Sequence, residues 1–186
     1  MSRRVRIRPQ IPYRQTRFRC LSAMIAILFG FLACTYSLAA DSPPQVTLDT
    51  GKAGPRTVEG LTQRSILRDY KFAWEHLAQA MEFNSPDPLN GLFAGNANAT
   101  LHEAVLNQQR SGLSSRYRNQ THQLEAVFYA PEGDVIELHD TAEYDLQLLD
   151  GDKTIHDERV KVHYVVLMTP GADRWVIRQF QAVPQF

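Results

Sequence analysis

The sequence predicts an α+β fold, in which N-terminal helices pack on a curled, antiparallel, four-stranded meander. Across residues 61–81, apolar side chains recur every three or four positions, which is the period of an amphipathic helix. After Asn119 the period falls to two, and four such segments follow with glycine-containing turns between them, as in antiparallel strands. Helices that precede an antiparallel sheet, instead of alternating with its strands, define the α+β class.

Three helices are expected in the first half of the domain. The first has one apolar stripe, at Leu67, Tyr70, Trp74, Leu77 and Met81, and ends before Pro86, which cannot continue a helix. A short second helix is expected over residues 89–93 and ends at Gly95. The third is expected to begin at Thr100, where Thr-Leu-His-Glu fits a capping box, and to extend to Tyr117.

Four strands are then expected, each with its apolar residues on one face. The first carries them at His122, Leu124, Ala126 and Phe128, and the second at Ile136, Leu138, Ala142, Tyr144, Leu146 and Leu148. The third carries them at Val160, Val162, Tyr164, Val166 and Met168, and the last strand covers residues 174–183. Long strands twist and curl, so we expect the apolar face to wrap the Trp74 helix.

Residues 1–40 have the pattern of a signal peptide or a membrane anchor. Seven arginines and no acidic residue precede an uncharged run at residues 21–40, whose last residues are small, as at a cleavage site. At about 1.5 Å per residue, the same run just spans a bilayer core of roughly 30 Å. Both alternatives place the rest of the chain outside the cytoplasm. We therefore expect a periplasmic or secreted protein, or one that contacts the inner membrane through residues 21–40.

The remaining chain is expected to consist of a linker at residues 41–60 and one domain at residues 61–186. Residues 41–186 hold 13 basic and 20 acidic side chains, a net charge of −7, which argues against a nucleic-acid partner. No glycine-rich phosphate loop and no serine-nucleophile signature occurs. His102 begins an H-E-x-x-H pattern, but Leu106 stands at the second ligand position. We therefore expect no metal site and no cofactor, and the sequence favours a non-enzymatic protein over an enzyme without excluding the latter.

The order of the elements resembles that of the nuclear-transport-factor-2-like superfamily, a cone-shaped α+β fold. The resemblance covers about residues 62–183 and includes the closing hairpin, Gly171-Ala-Asp-Arg174-Trp175-Val-Ile-Arg178. The segment from Trp74 to Ser111 is similar to an extracytoplasmic, membrane-associated subset that includes the intermembrane-space domain of chloroplast-division proteins. The superfamily contains cyclases, dehydratases, isomerases and pure binding modules, so the resemblance alone does not select a function.

Asp140 interrupts the apolar face of the second strand, where a carboxylate is costly to bury unless it is paired. In one interpretation the strand bends so that Asp140 reaches solvent, or Asp140 forms an ion pair with Arg116 or Arg178. In the other, Asp140 lies in the mouth of the cone and acts as a general acid or base. The resemblance implies an aspartate–histidine pair in the enzymes of the superfamily, and His122 is the histidine on an apolar strand face.

The sequence is compatible with three functions, one of which is favoured. The prediction is a non-enzymatic, exported binding or assembly module, whose partner is another exported or membrane protein or a second copy of the chain. Val127 and Tyr129, expected opposite the apolar face of the first strand, would leave hydrophobic surface outside the core. The alternatives are a carrier of a small apolar ligand, with a pocket lined by Tyr144, Tyr164 and Trp175, and a cyclase- or isomerase-like enzyme that uses the Asp140–His122 pair.

Overall fold

The computed structural model describes residues 42–186, and the signal peptide or membrane anchor predicted at residues 1–40 lies outside the described residues. The elements are β1 (Gln45–Asp49), α1 (Gly60–Phe83), a 3-10 turn (Asp87–Leu89), α2 (Gly95–Ser111), β2 (Leu113–Tyr129), β3 (Ile136–Asp150), β4 (Lys153–Pro170) and β5 (Trp175–Val183). The strands lie in one sheet in chain order. β1 is parallel to β2, and each later pair is antiparallel. The prediction of an α+β fold, with helices ahead of an antiparallel meander, is confirmed.

α1 packs its apolar face on the inner face of the sheet. Its buried apolar residues are Ile66, Tyr70, Ala73, Trp74, Leu77 and Ala80, so Ile66 takes the buried position that the stripe assigned to Leu67. The helix ends at Asn84, whose backbone is left-handed (φ 52°), just before Ser85 and Pro86. Within residues 42–186, no helix is both long and apolar enough to cross a membrane.

The second half of the helical region differs from the expectation. The expected second helix is only the 3-10 turn, and α2 begins at Gly95 rather than at Thr100. α2 ends before Gly112, whose φ of 74° closes it in the left-handed conformation that glycine adopts at low cost. The chain then enters β2 at Leu113, so Tyr117 belongs to the sheet and not to a helix.

The linker expected at residues 41–60 is corrected by β1. Its five residues pair with β2 from Thr121 to Glu125, and Val46 and Leu48 pack against the core. Val58, between β1 and α1, is also buried. This stretch therefore contributes a fifth strand and apolar contacts. Its Pro and Gly content is typical of a linker. The strand is not predicted from the sequence because five residues give only a brief alternating pattern.

A β-bulge at Asn119 sets the face on which His122 lies. The β2–β3 register shifts between Arg118 and Thr121, and Asn119 has a φ of 51°. The Asn119 side-chain amide donates a hydrogen bond to Asp145 Oδ2 on β3 (2.6 Å), which fastens the bulge to the neighbouring strand. One extra residue in β2 reverses the alternation. Tyr117 and His122, five positions apart, consequently both face the core.

A second shift, between Ala126 and Phe128, exchanges the faces of the last residues of β2. Tyr129 is 2% exposed and Phe128 is 39% exposed. The expectation that Phe128 points inward and Tyr129 outward is therefore wrong, because strict alternation cannot register the extra residue of a bulge.

Candidate functional site

Asp140 lies at the centre of a buried polar cluster with His122 and Tyr70. The Tyr70 hydroxyl donates a hydrogen bond to Asp140 Oδ2 (2.7 Å), and His122 Nδ1 lies 2.8 Å from the same oxygen. The side chains of His122 and Asp140 are 0% exposed. β2 and β3 place them on adjacent strands, two residues apart diagonally, since His122 is opposite Ala142. α1 supplies Tyr70 from above the sheet.

The structure shows neither a solvent-exposed Asp140 nor an ion pair of Asp140 with Arg116 or Arg178. The carboxylate does not reach solvent, because the buried side chains of β3 alternate regularly from Ile136 to Tyr144 and Asp140 is one of them. Arg116 instead pairs with Glu82 on α1 (2.7 Å), and Arg178 donates a hydrogen bond to the Thr169 hydroxyl (3.0 Å). The structure thus brings Asp140 to His122, and neither Arg116 nor Arg178 pairs with it. An acid or base role for this pair stays a prediction.

Tyr70 is the member of the cluster that the sequence analysis missed. Burial raises its pKa well above the ordinary value, and the negative charge of Asp140 and the hydrogen bond to it act in the same direction. Tyr70 therefore remains a phenol and a hydrogen-bond donor. Its position on the buried stripe of α1 was a usable signal, because a buried tyrosine hydroxyl normally finds a polar partner.

Aromatic rings fill the space beside this cluster. Around Trp74, the ring centroids of His122, Phe180, Tyr164 and Tyr144 lie at 4.3, 5.6, 5.7 and 5.9 Å. The Tyr144 and Tyr164 hydroxyls are 3.1 Å apart. Within residues 42–186, His122 Nε2 and Asp140 Oδ1 are buried without a hydrogen-bond partner. These two atoms could do chemistry, but the packed rings separate them from solvent.

The third residue of the expected ligand pocket lies elsewhere. Tyr164 pairs with Ala182, whereas Trp175 pairs with Pro170 at the other end of the β4–β5 ladder. At about 3.3 Å per residue, this separates Trp175 from Tyr164 by roughly 20 Å. The Trp175 backbone N–H donates a hydrogen bond to Asp69 Oδ2 (2.8 Å). Tyr144 and Tyr164 thus lie together in the aromatic interior, and Trp175 does not join them.

A concavity of about 460 Å³ lies outside this interior, between α1 and the β4–β5 turn. Its lining consists of Arg68, Asp69, Lys71, Phe72, Glu75, Asp173 and Arg174. The Arg174 guanidinium lies 5.2 Å from the centroid of the Phe72 ring, a cation–π arrangement. Arg68 pairs with Asp69 (2.7 Å) and Arg174 with Asp173 (3.0 Å). The concavity therefore presents one aromatic ring surrounded by three basic and three acidic side chains, and two of the basic ones are held in ion pairs.

A second, larger concavity of about 620 Å³ lies on the outer face of β1, β2 and β3. Its lining is mostly polar, and Phe186 borders it. Within the described part of the chain, no three histidine, aspartate, glutamate or cysteine side chains are grouped so that they could hold a metal ion.

The described residues have the nuclear-transport-factor-2-like α+β fold. The fold is shared with the crystal structure of the intermembrane space region of chloroplast protein ARC6, at 12% sequence identity and a TM-score of 0.53, over 69% of this chain and 98% of that one. A calcium/calmodulin-dependent protein kinase type II association domain from Thiobacillus denitrificans aligns at 19% identity over 61% of this chain and 93% of that chain, with a TM-score of 0.34. No protein-family model and no curated protein matches the chain.

Proposed function

We propose that the chain is an exported, non-enzymatic binding module that acts outside the cytoplasm through protein–protein contacts. The observation that carries the proposal is the closed interior, in which the Asp140–His122 pair is sealed by the Trp74 ring and its aromatic neighbours. Recognition then takes place on the outer surface. The export pattern of residues 1–40 supports the location. The fold shared with an intermembrane-space region is consistent with the same location.

The concavity around Phe72 is the surface that fits a protein partner best. Phe72 is 37% exposed although it is a large apolar side chain on the long helix. Aromatic and arginine side chains carry a disproportionate share of the binding energy in protein interfaces. The basic and acidic side chains around the ring balance in number, so they favour a partner that presents an apolar side chain with polar groups of both charges beside it.

Photo-crosslinking in the native compartment tests this proposal. We expect a photoreactive phenylalanine analogue at position 72 of the full chain to give one discrete adduct, which weakens at least tenfold when Arg174→Ala is added. An adduct of twice the mass of the chain would identify a second copy as the partner. The analogue at position 83 is the matched control, because Phe83 is on the same helix and is 71% exposed. Equal, diffuse labelling at both positions, or none at either, would contradict the proposal.

Acid–base catalysis is the second candidate, favoured by one observation. Tyr70, Asp140 and His122 form a connected hydrogen-bonded cluster, and Asp140 Oδ1 and His122 Nε2 remain unpaired within the described residues. A cyclase- or isomerase-like reaction would require the Trp74 ring to move and admit a substrate. A carrier of a small apolar ligand would need the same space.

The Asp140→Asn variant separates the two candidates. Under the proposed binding function, any turnover of activated carbonyl or steroid-like substrates is expected to be unchanged by this substitution. An enzyme that uses Asp140 as its general base would lose about 10²- to 10⁴-fold in rate. Circular dichroism of both proteins controls for folding, so that a loss of rate by a folded variant would favour the enzyme.

A further inference from the structure

The outer face of the sheet carries an ordered array of polar side chains. Thr47, Gln123 and Thr141 are directly opposite one another on β1, β2 and β3. These three side chains, together with Gln45 and His139, line the concavity of about 620 Å³ on this face, which is called the groove from here on. The array crosses three hydrogen-bonded strands, so its spacing is fixed by the ladder and does not depend on a mobile loop.

Internal hydrogen bonds hold two of these side chains. The Thr47 hydroxyl donates to the backbone oxygen of His122 (3.3 Å), and the Thr141 hydroxyl lies 3.2 Å from His163 Nδ1. By contrast, the amides of Gln45 and Gln123 make no side-chain hydrogen bond within residues 42–186. Each amide offers a carbonyl acceptor next to an N–H donor, which matches a ligand group that both donates and accepts.

Phe186 supplies an apolar border to the groove. Its ring stacks on His139, with centroids 4.2 Å apart and planes 10° apart, and meets the edge of His163 at 4.9 Å. These contacts fix the ring, yet Phe186 remains 52% exposed. An exposed aromatic ring beside paired donors and acceptors suits a ligand with both hydroxyl groups and C–H faces.

Other ligand classes fit the groove less well. Asp49 and Glu125 also line it and disfavour an anionic ligand. An apolar ligand would strip water from the glutamine amides and leave them unpaired, which costs free energy. A hydroxyl-rich, uncharged molecule satisfies the amides and covers the ring at the same time.

We propose that this groove is a binding site for a neutral oligosaccharide, with Gln45 and Gln123 pairing its hydroxyls and Phe186 packing on a sugar ring. This inference is independent of the protein-binding concavity around Phe72, which lies between α1 and the β4–β5 turn. A failure of either proposal would therefore leave the other standing.

Calorimetric titration of the exported chain with chitotetraose, maltotetraose and cellotetraose tests the site. At least one probe is expected to bind. In NMR spectra recorded with that probe, we expect the backbone amide shifts in β2 and β3 to be confined to the residues of the groove. Affinity should fall at least tenfold in Gln123→Ala and in Phe186→Ala, and should stay unchanged in Phe83→Ala. Absence of binding by all three probes would overturn the proposal. Retained affinity in both groove variants, or tighter binding of a polar tetrapeptide than of every sugar, would do the same.

Discussion

Replacing Asp140 with alanine is expected to lower the free energy of unfolding by about 3–5 kcal/mol. The substitution removes the carboxylate that accepts the Tyr70 hydrogen bond and contacts His122 Nδ1. Both partners would then be left in an interior that excludes water, and each unpaired buried polar group carries a desolvation penalty. The loss should therefore exceed that caused by deletion of a single exposed carboxylate.

Urea unfolding followed by tryptophan fluorescence measures this loss. Tyr70→Phe removes only one hydrogen bond of the cluster and should cost about 1–2 kcal/mol. Glu137→Ala, on the same strand but on its outer face, is the matched control and should stay within about 0.5 kcal/mol of the parent. If Asp140→Ala cost no more than Glu137→Ala, the cluster would be open to water, and the closed interior that supports the binding function would be refuted.

The β3 strand shows how far the sequence predicts this site. Its buried side chains alternate without a break from Ile136 to Tyr144, so spacing alone predicts the inward position of Asp140. The same alternation fails in β2, where bulges at Asn119 and before Phe128 each add a residue. Alternation counted from Asn119 predicts the inward face of His122 correctly, because this stretch lies after the first bulge. The same alternation gives the wrong face for Phe128, because it continues across the second bulge.

The partners of Asp140 were harder to predict than its face. Tyr70 is 70 residues away in the sequence, and its hydroxyl meets the carboxylate only because α1 crosses the curled sheet at that point. Helix periodicity identifies the buried stripe but not the rotation that aligns one member with a particular strand. The separation of Trp175 from Tyr164 has a similar origin, since it depends on the pairing register of β4 and β5.

Raising the pH is expected to unfold the protein steeply above about pH 10. Burial raises the pKa of Tyr70, Tyr117, Tyr144 and Tyr164 above the ordinary value of 10.0, and neighbouring charges or hydroxyls add to the effect at Tyr70 and Tyr164. Below about pH 10, these tyrosines are protonated in both the folded and the unfolded state, so they do not change the stability. Above it, the unfolded chain releases their protons and the folded chain retains them, so the stability falls as the pH rises.

The expected slope is large because four groups act together. Each contributes at most about 1.4 kcal/mol per pH unit, so the four together contribute at most about 5.6 kcal/mol per pH unit, against a total stability of about 5–15 kcal/mol for a typical domain. Phenolate absorbance and tryptophan fluorescence, followed in one alkaline titration, should therefore change together at the unfolding transition. Tyr164→Phe should reduce the slope by about a quarter, since one titrating group is removed. Gradual phenolate formation by all of these tyrosines at about pH 10, in a chain that stays folded, would show that solvent reaches the rings around Trp74 and that the interior can admit a ligand.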